Sequence, residues 1–95
     1  MKHVFDLARR HVPPEHVYAR YLPEMKRRPN THGWTDGGLC PFHDDNRRGS
    51  FRVNLRTGGY KCFSCGASGG DTISFVAQFH RIQPLDAAKI LAGRG

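Results

Sequence analysis

At 95 residues the chain has room for one domain, and a domain that small buries only about 60–65% of its unfolded surface. Apolar residues make up 38% and are interrupted by 11 glycines and 6 prolines, so a disulfide, a metal or a partner is expected to reinforce a thin core. Three cysteines exclude a fully paired disulfide framework, and no apolar run approaches the ~18–20 residues of a membrane span. The first fifteen residues, MKHVFDLARRHVPPE, carry charges throughout and no apolar secretory core, so a soluble, intracellular (cytoplasmic) protein with reduced thiols is expected. A net charge of +7 favours a polyanionic partner such as nucleic acid. An anionic membrane surface would call for one long basic amphipathic helix, whereas the Lys and Arg residues here fall mostly in loop and strand sequence.

In chain order, Val4–Val12 is weakly helical and Pro13-Pro14 stops it. Pro14 and Glu15 suit a second helix start, with Val17, Tyr18, Tyr21 and Leu22 on one stripe and Pro23 beyond. Lys26–Gly33, KRRPNTHG, is a basic, turn-rich loop. Trp34–Leu39 reads as a strand interrupted by Gly-Gly. Ser50–Arg56 alternates, with Phe51, Val53 and Leu55 inward and Arg52, Asn54 and Arg56 outward. Thr57-Gly58-Gly59 is hairpin-turn chemistry, and Tyr60–Phe63 returns as the antiparallel partner. After GASGG, Asp71 is a helix N-cap followed by the apolar face Ile73, Phe75, Val76, Ala77 and Phe79. Pro84 opens a last helix with Leu85, Ala88, Ile90 and Leu91 apolar.

Four residues in the middle form two pairs, Cys40-x2-His43 and Cys62-x2-Cys65, eighteen residues apart across the expected hairpin. Each short pair can turn both side chains toward one centre, and the hairpin brings the pairs to the same end of the sheet. Three thiolates and an imidazole suit a tetrahedral zinc ion. Gly66 supplies a left-handed turn after Cys65, and Pro41 restricts the opposite knuckle. His32 is the one rival fourth ligand, but it forms no tight pair. Three sulfurs and one nitrogen fill the coordination sphere, so the ion is expected to be structural, one Zn2+ per chain, with no catalytic residues attached. Buried free thiols beside an unrelated histidine are the alternative.

At these residues the sequence resembles the zinc-binding domain of bacterial DnaG-type DNA primases. CPFHDDNRRGSFRVN is similar to that family's C-P-F-H, charged loop, P-S-F and strand, and YKCFSCGASGGDTISFVAQF to its C-F-x-C-G, G-D and apolar helix. IQPLDAAKILA is similar to the linker and Ala-rich helix that follow. Gly49 stands where the family has proline, and the loop after His43 is one residue longer. The resemblance implies a module that binds single-stranded DNA template and helps position the start of primer synthesis. A primase polymerase domain or a replicative helicase would be its protein partner, at a chromosomal, plasmid or phage replication machinery. The family's magnesium-binding acidic residues have no counterpart here, so the chain is not expected to be an enzyme by itself.

The residues also support nucleic-acid binding directly, since single-strand binders combine a basic groove with exposed aromatic rings. The candidates are Arg47, Arg48, Arg52, Arg56 and Lys61 around the hairpin, Lys26, Arg27 and Arg28 in the loop, and Trp34, Tyr60 and Phe63 for stacking. Phe42, Phe51 and Phe75 read as core. The competing function is a protein-interaction ribbon docking on a polymerase or helicase, which would leave the apolar face of the last helix uncovered. The expected architecture is α+β, a single zinc-ribbon domain over 1–95. It comprises a helical segment and basic loop (1–33), a zinc-binding hairpin core with an antiparallel β-sheet (34–66) and C-terminal helices (67–95).

Overall fold

The computed structural model describes residues 12–44 and 49–94. Of the helix expected over Val4–Val12, only Val12 lies within that range, and it is buried.

The first helix, α1 (Pro14–Tyr21), begins where Pro14 occupies a position whose N–H would have no helical partner. The Pro13 carbonyl accepts the first helical bonds from His16 and Val17. Val17 and Tyr18 face inward, and Leu22 closes the helix with its N–H on the Tyr18 carbonyl at 2.7 Å. Pro23 prevents continuation.

Four short strands follow: β1 (Trp34–Asp36), β2 (Phe51–Asn54), β3 (Tyr60–Cys62) and β4 (Ser68–Gly69). They form an antiparallel meander in the order β1-β2-β3-β4. Register decides which side chains share a face. Asp36 pairs with Arg52, Arg52 with Lys61 and Lys61 with Ser68, so one row crosses the outer face. Phe51 opposite Cys62 and Val53 opposite Tyr60 fill the inner face.

The helices α2 (Thr72–His80) and α3 (Pro84–Arg94) complete the fold. Asp71 caps α2, its Oδ1 accepting the Ser74 N–H at 2.9 Å. Arg81 ends the helix in the left-handed conformation, φ 57°. Phe75 of α2 sits at the centre of the core, with Tyr18, Phe42 and Tyr60 presenting rings to it roughly edge-on at centroid distances of 4.9, 5.4 and 5.4 Å. Ala87, Ala88 and Leu91 of α3 are buried, while Leu85 and Ile90 are half-buried. The apolar face of α3 is therefore turned half a step from the expected one, and its centre is covered.

The α+β class and antiparallel sheet agree with the sequence reading; three details differ. The strand expected over Trp34–Leu39 ends at Asp36, because Gly38 takes a positive φ of 84° and donates to Asp36 Oδ1. The strand expected over Ser50–Arg56 stops at Asn54, whose side chain is buried against the backbone of the following turn and of His32. Strand β4 arises in GASGG, where no strand is expected: it pairs with β3 because the Cys62 N–H donates to the Ala67 carbonyl and folds the chain back.

Candidate functional site

Cys40 follows β1 through the Gly37-Gly38 bend, and Cys62 ends β3. Each opens a knuckle whose backbone turns toward its own sulfur. Phe42 N–H points at Cys40 Sγ and Cys65 N–H at Cys62 Sγ, both at 3.4 Å. The Gly66 N–H donates to the Cys62 carbonyl, and Gly66 has φ 85°, a conformation that favours glycine. These turns bring donor atoms of Cys40, His43, Cys62 and Cys65 within 4.8 Å of one another.

The donor set and spacing fit zinc. Tetrahedral ligands at a Zn–S distance of ~2.3 Å stand about 3.8 Å apart. Cys40 Sγ and Cys65 Sγ are 3.9 Å apart, far beyond a disulfide bond. Burial pushes the Cys40 thiol up to about 12 in the metal-free protein. Burial acts the same way on Cys62, but N–H groups of Cys65 and Ser64 on its sulfur outweigh it and lower that thiol. The two buried sulfurs are thus pushed in opposite directions, and a bound cation would favour the thiolate at each sulfur that ligates it. With four protein ligands the sphere is closed, the arrangement of structural rather than catalytic zinc.

On the opposite side of the sheet from the core, the structure gathers most of the predicted nucleic-acid residues. The backbone of the basic loop runs along β1: Lys26 N–H donates to the Asp36 carbonyl and Asn30 N–H to the Trp34 carbonyl. Thr35 Oγ1 reaches the Lys26 carbonyl. That places Lys26, Arg27 and Arg28 with Trp34 and Arg52 around an open hollow of about 600 Å³. A second hollow of about 330 Å³ adjoins it, lined by Asn30, Trp34, Arg52, Lys61 and Phe63. Asn30, Trp34 and Arg52 border both, so the two form one trough. Trp34 is 36% and Phe63 69% exposed, large apolar exposures for such rings, and Lys61 Nζ lies 5.2 Å from the Phe63 ring centroid.

Two candidates lie elsewhere. Tyr60 is 1% exposed; its ring packs against Phe42 and Phe75 and its hydroxyl donates to Gln78 Oε1 at 2.8 Å. It is a core residue and not a stacking surface, because β3 alternates and Tyr60 shares the inner face with Cys62. Arg56 lies past the end of β2, in the Leu55–Thr57 turn, with its Nη1 on the Thr31 carbonyl at 2.8 Å. It borders a separate hollow beside Pro14 and Asp71. Asn54, expected outward, is 3% exposed. Its Oδ1 accepts the N–H groups of Arg56 and Thr57, and its Nδ2 donates to the His32 carbonyl. Arg47 and Arg48 lie outside the described residues. His32, the rival ligand, is not in the metal cluster. Asn30 is the trough residue that the sequence reading passed over; its place ahead of Thr31-His32-Gly33 is the signal, since Asn favours turns of this kind.

Fold and metal cluster together define a small zinc ribbon with a Cys-His-Cys-Cys centre. Residues 16–95 match the CHC2 zinc finger family, and the chain belongs to this family of DnaG-type zinc ribbons. It is 47% identical over 55 residues to a DNA primase of Lactococcus lactis, covering 58% of this chain and 8% of that protein. A DNA primase of Streptomyces coelicolor is 39% identical over 83 residues, 87% of this chain and 12% of the primase. The Gene 58 protein of Mycobacterium phage D29 is 32% identical over 77 residues, 81% of this chain and 57% of that protein. The crystal structure of the Aquifex aeolicus primase (zinc binding and RNA polymerase domains) superposes with a TM-score of 0.75 at 33% identity, covering 96% of this chain and 21% of that one. The chain thus spans about a tenth of the Lactococcus and Streptomyces primases and about a fifth of the Aquifex chain, and what it matches is the zinc-binding domain of primases. The family match and the Cys40, His43, Cys62 and Cys65 cluster point to one structural zinc. Among the described residues no helix is long and apolar enough to cross a membrane.

Proposed function

We propose that this chain is a zinc-stabilised single-stranded DNA-binding module of a DNA primase system, helping to recognise template and start primers. The observation that carries the reading is the trough: among the described residues, five cations and two exposed rings lie on one sheet face, against a single bordering carboxylate, Asp36. Cations along a groove neutralise phosphates and release counterions, while ring faces stack bases without regard to sequence. Cys40, His43, Cys62 and Cys65 hold the sheet in shape behind it. The module acts beside a primer-polymerising domain, in the same protein or a partner, with a replicative helicase as the further candidate partner. The rival reading as a docking ribbon has less support, since the centre of the α3 apolar face is already covered.

Fluorescence anisotropy with a labelled single strand tests this. Binding is expected at low salt, with log affinity falling by about 0.7 per log salt for each phosphate contacted. Trp34→Ala is expected to weaken it by about 1–3 kcal/mol, the worth of one stacked base. A zinc-loaded protein that binds no single strand at low salt contradicts the proposal.

A further inference from the structure

We propose that the smaller hollow is a base subsite whose side chains, among the described residues, offer hydrogen-bond donors only. Asn30 and Arg52 there favour a base with a carbonyl at its 4- or 6-position (uracil, thymine, guanine or hypoxanthine) over one with an amino group there (cytosine or adenine). The inference rests on the single-strand reading above and goes further, from binding to selection.

Asn30 Oδ1 accepts two backbone N–H groups, from His32 at 2.9 Å and Trp34 at 3.0 Å. Two bonds occupy both lone pairs of an amide oxygen. They also fix which end of the amide is which, because only the oxygen can face two N–H groups. The Nδ2 end is left to border the trough, and it can only donate. The backbone is held as firmly, with Asn30 N–H on the Trp34 carbonyl at 2.8 Å and Gly33 N–H on the Asn30 carbonyl at 3.0 Å. Each of those two carbonyls thus already accepts one backbone N–H.

Among the described residues, the other polar side chains around this hollow are Arg52, Lys61 and the Trp34 indole. None of the three has an acceptor. Asp36 borders only the larger hollow. A base entering between Trp34 and Phe63 thus finds ring faces to stack on and donors at its edge. A carbonyl oxygen at position 4 or 6 satisfies those donors; an exocyclic amino group sets donor against donor and leaves its hydrogens unmatched. Phosphate also accepts only, so the same donors would hold a backbone phosphate. The flanking rings favour a base here, while the larger hollow, with Lys26, Arg27 and Arg28, suits the phosphates.

Oligonucleotides that differ in this one group decide the matter. Oligo(dU) and oligo(dC) of equal length differ at position 4, and oligo(dI) and oligo(dA) at position 6, with charge and length unchanged. The parent protein is expected to bind dU over dC, and dI over dA, by about tenfold, the scale of one well-placed base contact. Asn30→Ser keeps a side-chain acceptor for the turn and removes the amide NH2, leaving one hydroxyl on a shorter side chain, so both ratios should fall toward one. Asn30→Asp keeps the turn and replaces the donor by an acceptor. Its added charge weakens every strand alike, but the preference should reverse toward dC and dA. Zinc content and circular dichroism establish that each variant is folded, and the parent's own ratios test the subsite without any variant. Salt-dependent binding of all four strands within about twofold overturns the subsite and leaves the single-strand reading standing. A preference unchanged in both variants removes Asn30 as its source and also overturns the proposal. No binding of any strand by the zinc-loaded parent removes the single-strand reading itself.

Discussion

Gly69 shows how closely this core is fitted. A Cβ built there would stand 2.6 Å from the Tyr60 ring, so the bare backbone of β4 is what lets that ring lie in the core. Gly69→Ala is expected to cost about 1–3 kcal/mol, the scale of overpacking, measured as a lower thermal midpoint of the zinc-loaded protein. Burial explains the other residue-scale surprises. It raises the Tyr60 phenol above the usual tyrosine range, as it does for Tyr18, whose hydroxyl donates to the Gly58 carbonyl. Both remain neutral core residues with a polar end satisfied. Tyr60 and Phe63 flank the same ligand and look equivalent in sequence, yet one is buried and the other exposed. Strand alternation separates them, since Tyr60 shares the inward face of Cys62 whereas Phe63 lies past the strand end. Asn54 misled for another reason: alternation placed it outward, but a side chain that can bind three backbone groups was more useful closing the turn.

At the scale of elements, legibility followed the strength of the local pattern. The helix caps at Pro14 and Asp71, the Phe51–Asn54 strand and its return were readable because prolines, an acidic cap and period-two alternation all act locally. Strand β4 was not, because Ser68 and Gly69 have little strand preference and pair only after the Cys62 knuckle folds them onto β3. The last helix was found, but its buried face rests on small Ala87 and Ala88, which let α3 approach α2 closely, rather than on the larger Leu85 and Ile90. The sheet face makes its own prediction. Arg52 and Lys61 are cross-strand neighbours over the trough, whereas Arg56 borders a different hollow. Replacing Arg27 and Arg28, which line the larger hollow, together by alanine should lower the salt slope of single-strand binding by about 1.4, two phosphate contacts' worth, while Arg56→Ala should leave it where it was. Titrations of anisotropy against salt read both, and equal slopes in all three proteins would remove the trough from the account.

For the whole molecule, the metal decides whether the sheet exists. Structural zinc supplies an apparent ~10–16 kcal/mol at neutral pH. That matches or exceeds the ~5–15 kcal/mol net stability of an ordinary domain. Chelation should therefore collapse the near-ultraviolet dichroism of the buried rings and abolish strand binding, with recovery on adding zinc. Protons compete with the ion. Cys40 in the metal-free protein is protonated well above neutral pH, so binding zinc expels its proton. Zinc affinity should then rise with pH and fall as pH drops, by about one decade per pH unit for each proton released. Competition with a chelating indicator at several pH values measures that slope, and a flat profile would contradict it. The four-ligand pattern was the most legible feature because metal geometry confines donors to short knuckles that the sequence shows directly. The trough was only partly legible, since it depends on strand register and on the basic loop lying along β1.

The most direct measurement is zinc K-edge absorption on the purified protein together with its zinc content. One zinc per chain, with three sulfurs at ~2.3 Å and one nitrogen at ~2.0–2.1 Å, is the predicted result. A sphere containing water or carboxylate oxygen in place of one of those ligands, or a folded protein carrying no metal, would contradict the account.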